Sequence, residues 1–175
     1  FSGIKYALGE FGGFTRPVGP KRFYPIQIAE KQTCWIKATA RGPGGHGAQP
    51  MRGGSMSKLA DLLQQLDKRR LPVRITPVAR QMIEITAANM AFPKNLILRR
   101  LLNPVLTDII LNLLGDLGES FDPLLHNTVN ATIVRGGDKI NVIPSAVSVE
   151  LDGRLLPGLS PEDMIKDLRR IIGDE

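Results

Sequence analysis

The sequence predicts an α+β fold: a split β-α-β sandwich, with an antiparallel sheet carrying two helices on one face, a helical insertion in the middle and the last strand missing. Three observations predict it. Apolar and polar residues alternate from Thr33 to Ala40, whereas from Met56 to Leu66 and from Met164 to Ile172 apolar residues recur at helical spacing. Between these, residues from about 75 to 125 switch to a helical pattern rich in leucine and isoleucine, and strand patterns return after His126.

Each element has a local reason. Short apolar stretches, Ile4 to Leu8 and Phe23 to Ile28, flank Gly12-Gly13 and Pro17-Val18-Gly19-Pro20, which predicts two strands and a turn at the edge of another domain. From Thr33 to Ala40, Cys34, Ile36 and Ala38 alternate with Trp35, Lys37 and Thr39, so one face is buried. A helix follows with Ser55 as N-cap and Met56, Leu59, Leu62, Leu63 and Leu66 on one side; its basic end at Lys68, Arg69 and Arg70 suits the helix dipole. In the insertion, Asn103-Pro104 makes an N-cap and N1 pair and Gly115 and Gly118 supply breaks, giving two or three short helices. Strands run from Thr128 to Val134 and from Ala146 to Leu155 around a turn at Gly136-Gly137-Asp138-Lys139. Ser160, Pro161 and Asp163 form a capping box that opens the last helix, and Gly173 closes it. The order β-α-β-β-α is that of a ferredoxin-like unit short of its final strand.

Composition narrows the class. A chain of 175 residues, 42% of them hydrophobic, can bury one sizeable core. It starts at Phe1 with no leader pattern and reads as a piece of a longer polypeptide. No apolar run is long enough to span a bilayer, so no membrane partner is expected. One cysteine, Cys34, permits no internal disulfide and fits a cytoplasmic location, with the thiol packed in the strand. The net charge of +6 permits nucleic acid, but the cations are dispersed and only 5% of residues are aromatic, which leaves little for base stacking. A basic, non-enzymatic split β-α-β module that binds nucleic acid therefore stands as the alternative.

The run Gly42-Pro43-Gly44-Gly45-His46-Gly47 is the chemically richest segment. It fits the spacing of a dinucleotide-binding turn, but Gln49-Pro50-Met51-Arg52 separates it from the helix, and Asp61 and Asp67 fall inside that helix rather than after a second strand. One imidazole in a loop nearly free of side chains suits a histidine offered to something outside its own domain.

Three separated segments, in order, resemble one family. Ala40 to Pro50, Asn127-Thr128-Val129-Asn130 through Gly136 to Pro144, and Leu151-Asp152-Gly153-Arg154-Leu155-Leu156-Pro157-Gly158 are similar to the inserted dimerisation, or lid, domain of zinc-dependent amidohydrolases. That group includes acetylornithine deacetylase, succinyl-diaminopimelate desuccinylase, carboxypeptidase G, carnosinase and aminoacylase. The resemblance implies residues 1–31 as a remnant of the zinc-binding catalytic domain and 32–175 as the lid domain, with its insertion at about 75–125.

The resemblance also implies roles. The whole protein would hydrolyse an amide or peptide bond next to a carboxylate in a small N-acyl amino acid or peptide, using two zinc ions. His46 would be catalytic, donating to the oxyanion from one subunit's lid to the other subunit's site. Asn141, Arg154 and Gly45 would contact substrate, Arg154 by a bidentate grip on a carboxylate. Glu10, in the stretch Lys5 to Gly13, would be a zinc ligand. The other family ligands do not appear in this chain, so by itself it is expected to be inactive and to dimerise through the lid.

Overall fold

The structure is a computed structural model that describes residues 3, 5, 14–18 and 20–173. The chain divides into two compact units, Phe1–Glu30 with Ile75–Glu119, and Lys31–Arg74 with Ser120–Glu175.

The second unit is built on a three-stranded antiparallel sheet of β3 (Gln32–Arg41), β7 (Ala146–Leu155) and β5 (Thr128–Arg135), in the order β3-β7-β5. β7 lies in the middle, pairing with β3 along ten positions from Gln32↔Leu155 to Arg41↔Ala146. Its partner on the other side, β5, runs from Thr128↔Arg154 to Arg135↔Ser148 with a bulge at Ala131/Ile133. Strict alternation along β7 buries Val147, Val149, Leu151 and Leu155, and α1 (Ser55–Lys68) and α6 (Pro161–Ile172) cover that same face through Leu59, Met164, Leu168 and Ile171. Cys34, Ile36, Ala38 and Ala40 complete the layer from β3, and each large side chain buried this way contributes roughly 1.5–3 kcal/mol. The opposite face carries no helix from this unit and presents Trp35, which is 81% exposed.

The capping box of α6 forms as the sequence predicts: Ser160 Oγ accepts from the Asp163 N–H, the Asp163 carboxylate accepts from the Ser160 N–H, and Gly173 ends the helix at φ 70°. Ser55 departs from expectation. The N-cap of α1 is Gly54, and Ser55, fully buried as the first helical residue, donates its hydroxyl to the Pro144 carbonyl at 2.6 Å. Met56 is 48% exposed instead of facing the core, because the buried stripe starts one turn later at Leu59.

The first unit contains β1 (Arg16–Val18) paired with β2 (Lys21–Phe23), and α2 (Pro77–Ala88), α3 (Lys94–Arg100) and α4 (Thr107–Leu114); α5 (Asp116–Leu125) leads back into the second unit. The insertion therefore holds four helices, not two or three. Asn103 does not cap a helix: its Oδ1 accepts from the Val105 N–H in a turn, and α4 starts at Thr107, whose hydroxyl donates to Leu101 and Asn103 carbonyls. Gly115, at φ 54°, makes the break between α4 and α5, whereas Gly118 lies inside α5. The stretch expected as a strand from Phe23 to Ile28 contributes only Phe23 to β2, since no neighbouring strand among the described residues offers it a ladder. Residues 4 and 6–8 of the other expected strand lie outside the described residues. β4 (Gly45–His46) and β6 (Val142–Ile143) form a separate two-stranded ladder in the second unit. Among the described residues, no helix is long and apolar enough to cross a membrane.

Candidate functional site

The glycine-rich loop leaves the end of β3 and is stitched along its length to residues 141–145. Gly42 N–H donates to the Ser145 carbonyl (2.9 Å), β4 pairs Gly45 with Ile143 and His46 with Val142, and Gly47 N–H donates to the Asn141 carbonyl (2.8 Å). The close approach explains two glycines. A Cβ on Gly42 would stand 2.7 Å from the Ser55 nitrogen at the start of α1, and one on Gly47 would stand 3.2 Å from Asn141 backbone. These glycines let backbone pass closely within the unit. Pinned at both ends, the loop holds its one titratable side chain in place.

That side chain is the exposed His46 imidazole. Its Nδ1 accepts a hydrogen bond from the Ala48 N–H at 3.2 Å. A ring nitrogen that accepts cannot carry a proton, so in the neutral ring the proton sits on Nε2, which becomes a donor. Asn141 is brought beside His46, also exposed, and its side chain makes no hydrogen bond among the described residues. Gly45 lines an adjoining cleft of about 700 Å³ together with Gly44, Gly137, Lys139, Ile143 and Ser145. In the sequence Lys139 is legible only as part of a turn motif, and Ser145, a serine after a proline, carries no distinctive signal.

Arg154 lies elsewhere. It pairs with Thr33 at the start of β3, whereas the loop leaves β3 at Arg41, eight steps or about 26 Å further along. Its guanidinium donates to Thr33 Oγ1 (3.1 Å) and to Asp152 Oδ2 (2.9 Å) on the uncovered face. The structure thus joins His46, Asn141 and Gly45 at one end of the sheet and places Arg154 at the other. Glu10 lies outside the described residues.

His126 is structural: 1% exposed, it packs its Nδ1 against the Asp122 carboxylate at 2.7 Å, which Arg70 also engages at 2.5 Å. Burial alone would raise the Asp122 carboxyl, but the hydrogen bonds from His126 and Arg70 outweigh it and hold it below the ordinary value. Cys34 is buried, and that burial pushes its thiol up. Among the described residues no three His, Cys, Asp or Glu side chains converge. With His46 in a glycine loop and His126 committed to Asp122, these residues do not fit a zinc centre.

The family described as peptidase dimerisation domain, M20_dimer, matches residues 28–175. Similar proteins include the "Probable carboxypeptidase S-like 2" of Dictyostelium discoideum, 24% identical over 167 residues, covering 94% of this chain and 30% of the relative. The N-fatty-acyl-amino acid synthase/hydrolase PM20D1 of Xenopus tropicalis is 25% identical over 176 residues, covering 99% of this chain and 32% of the relative. The chain spans about a third of the length of these relatives. Solved structures with likeness include the M20 family metallo-carboxypeptidase Sso-CP2 from Sulfolobus solfataricus (TM-score 0.46, 15% identity, 82% of this chain and 40% of that one) and human carnosine dipeptidase 1 (TM-score 0.46, 14% identity, 86% and 36%).

Proposed function

The chain belongs to the peptidase dimerisation domain family, and on that premise we propose that it is the lid of a zinc-dependent amidohydrolase that cleaves an amide or peptide bond next to a carboxylate. In this reading residues 1–31 belong to the catalytic domain, 32–175 form the lid with its insertion at about 75–125, and two copies associate through the lid. The two zinc ions are held outside the described residues, with Glu10 as one ligand, and supply the activated water when bound. The names of the relatives, a carboxypeptidase and an N-fatty-acyl-amino acid synthase/hydrolase, support a peptide or N-acyl amino acid as substrate. The free, buried Cys34 thiol supports a cytoplasmic setting.

One observation carries the role of His46: the Ala48 N–H on Nδ1 leaves a proton on Nε2 of an exposed ring. Such a donor, held before the reaction starts, stabilises the negative charge that develops on a carbonyl oxygen and is worth roughly 3–4 kcal/mol. Asn141, whose carbonyl holds the Gly47 N–H next to His46, contributes a further substrate contact, and the Gly45 backbone borders the cleft where the substrate chain continues. Arg154 takes the substrate carboxylate.

The span between Arg154 and His46 exceeds the length of a dipeptide, which supports a site composed from two copies: Arg154 of one and His46 of the other. Complementation in the full-length protein tests this. The variants His46→Ala and Arg154→Ala are each expected to be nearly inactive, and re-assembling them as mixed dimers restores one intact site per mixed pair, about a quarter of wild-type activity. Mixed dimers as inactive as the parents would show that the two residues do not meet across subunits.

A further inference from the structure

At the Arg154 end of the uncovered sheet face, Thr33, Arg154 and Thr128 stand directly opposite one another across β3, β7 and β5. Lys31, the residue before β3, reaches the same row: its ammonium donates to Thr128 Oγ1 (3.0 Å) and to the carbonyls of His126 (2.9 Å) and Pro123 (3.2 Å). Those three acceptors are neutral and use all three N–H bonds. The acid that faces Lys31 is Asp122, but its carboxylate is occupied by Arg70 and His126, and Asp152, on the same strand as Arg154, holds the guanidinium. Two cations therefore stand in the Thr128 row, and Lys31 feels the Asp122 charge without closing an ion pair with it. The ammonium is pushed down to about 8, chiefly by burial, with the Asp122 charge opposing and the Arg154 charge adding a smaller downward push.

We propose that Lys31 is a positioning residue for the carboxylate site at Arg154: it fixes the Thr128 hydroxyl and adds a second positive charge to the row, so that an anionic substrate binds Arg154 in the field of two cations. The inference rests on reading Arg154 as the carboxylate contact. Lys31 does not touch the ligand, because its donors are engaged; it acts through the local potential, which a partly buried ammonium screens poorly from its neighbours. The site then discriminates against uncharged analogues of the same shape, and the discrimination fades as Lys31 loses its proton.

Binding of 4-oxopentanoate, an uncleavable carboxylate, and of its neutral counterpart 4-oxopentanamide to the full-length protein provides the test, measured by calorimetry from pH 6.5 to 9.5. Wild type is expected to lose about fivefold in carboxylate affinity as pH passes through the Lys31 titration, with no such change for the amide. Lys31→Arg keeps the tight binding flat across this range, and Lys31→Met is weak and flat. A ligand-free readout accompanies these: the Lys31 amino group, followed by NMR, titrates at higher pH in Arg154→Gln, since a neighbouring cation is gone. If Lys31→Met binds with the wild-type affinity and pH profile while Arg154→Gln abolishes binding, the inference fails and the role of Arg154 survives. If Arg154→Gln binds normally, or wild type does not prefer the carboxylate, both fall together.

Discussion

Ser55 donates its hydroxyl to the Pro144 carbonyl at 2.6 Å, joining the first turn of α1 to the residue that follows β6, the strand paired with His46. Ser55 is fully buried and the bond it makes is part-buried, so Ser55→Ala takes that donor from a Pro144 oxygen that solvent only partly reaches. The expected loss is about 1–3 kcal/mol of stability in denaturant unfolding, with faster hydrogen exchange at the Gly47 amide. Wild-type exchange at Gly47 would show that the loop is held without this anchor.

Gly42→Ala forces a methyl against the Ser55 nitrogen and the Gly54 carbonyl carbon, neither of which can yield as a side-chain tip does. Overpacking of this kind costs about 1–3 kcal/mol, and the lost loop geometry also lowers kcat in the full-length enzyme. Gly54→Ser is the matched control: nothing lies within 4 Å of its Cβ position, and as N-cap of α1 it changes stability by only a few tenths of a kcal/mol. Equal effects for the two variants would remove close packing as the reason for Gly42.

His46→Ala in the full-length protein is expected to lower kcat by about a hundredfold or more with the metal content and melting temperature unchanged. The ring is exposed and its hydrogen bond to Ala48 is local, so its loss leaves no cavity. An unaltered kcat with a raised KM would turn His46 into a simple binding contact.

Two groups set opposite limbs of the stability profile. Lys31 has a folded pKa of about 8, below its unfolded value, so between about 8 and 10.5 the unfolded chain binds more protons and stability rises with pH. Asp122 is depressed, so the stability that it contributes is present above the unfolded carboxylate value and disappears as pH falls through the folded one. Unfolding free energies measured across pH should show both limbs, with Lys31→Met flattening the alkaline one and Asp122→Asn the acid one. A wild-type curve that falls from pH 8 to 10 contradicts the assignment for Lys31.

The elements with strong local signals are legible in the sequence alone. Alternation from Cys34 to Ala40 and along β7, the Ser160/Asp163 capping box, and the three ordered motifs led to the sandwich and to the family that residues 28–175 match. The reading was weaker wherever a partner distant in sequence decides. Ser55 looks like a cap because serine before an apolar stripe usually is one; only the proximity of Pro144, 89 residues away, makes it an anchor. Trp35 stands in solvent on the uncovered face, since alternation says which residues share a face but not which face the helices choose.

Residue types and spacing by themselves determined the strand and helix periods, the glycine loop around His46 and the Asp152-Gly153-Arg154 strand end, because those follow from side-chain geometry within a few residues. Only the tertiary structure decided that Asn141 adjoins His46, that Arg154 pairs with the far end of β3, and that Lys31 joins the Arg154 row. Each of these depends on a hydrogen bond or strand register, and register is fixed by burial of the whole sheet face against α1 and α6 rather than by any short stretch of chain.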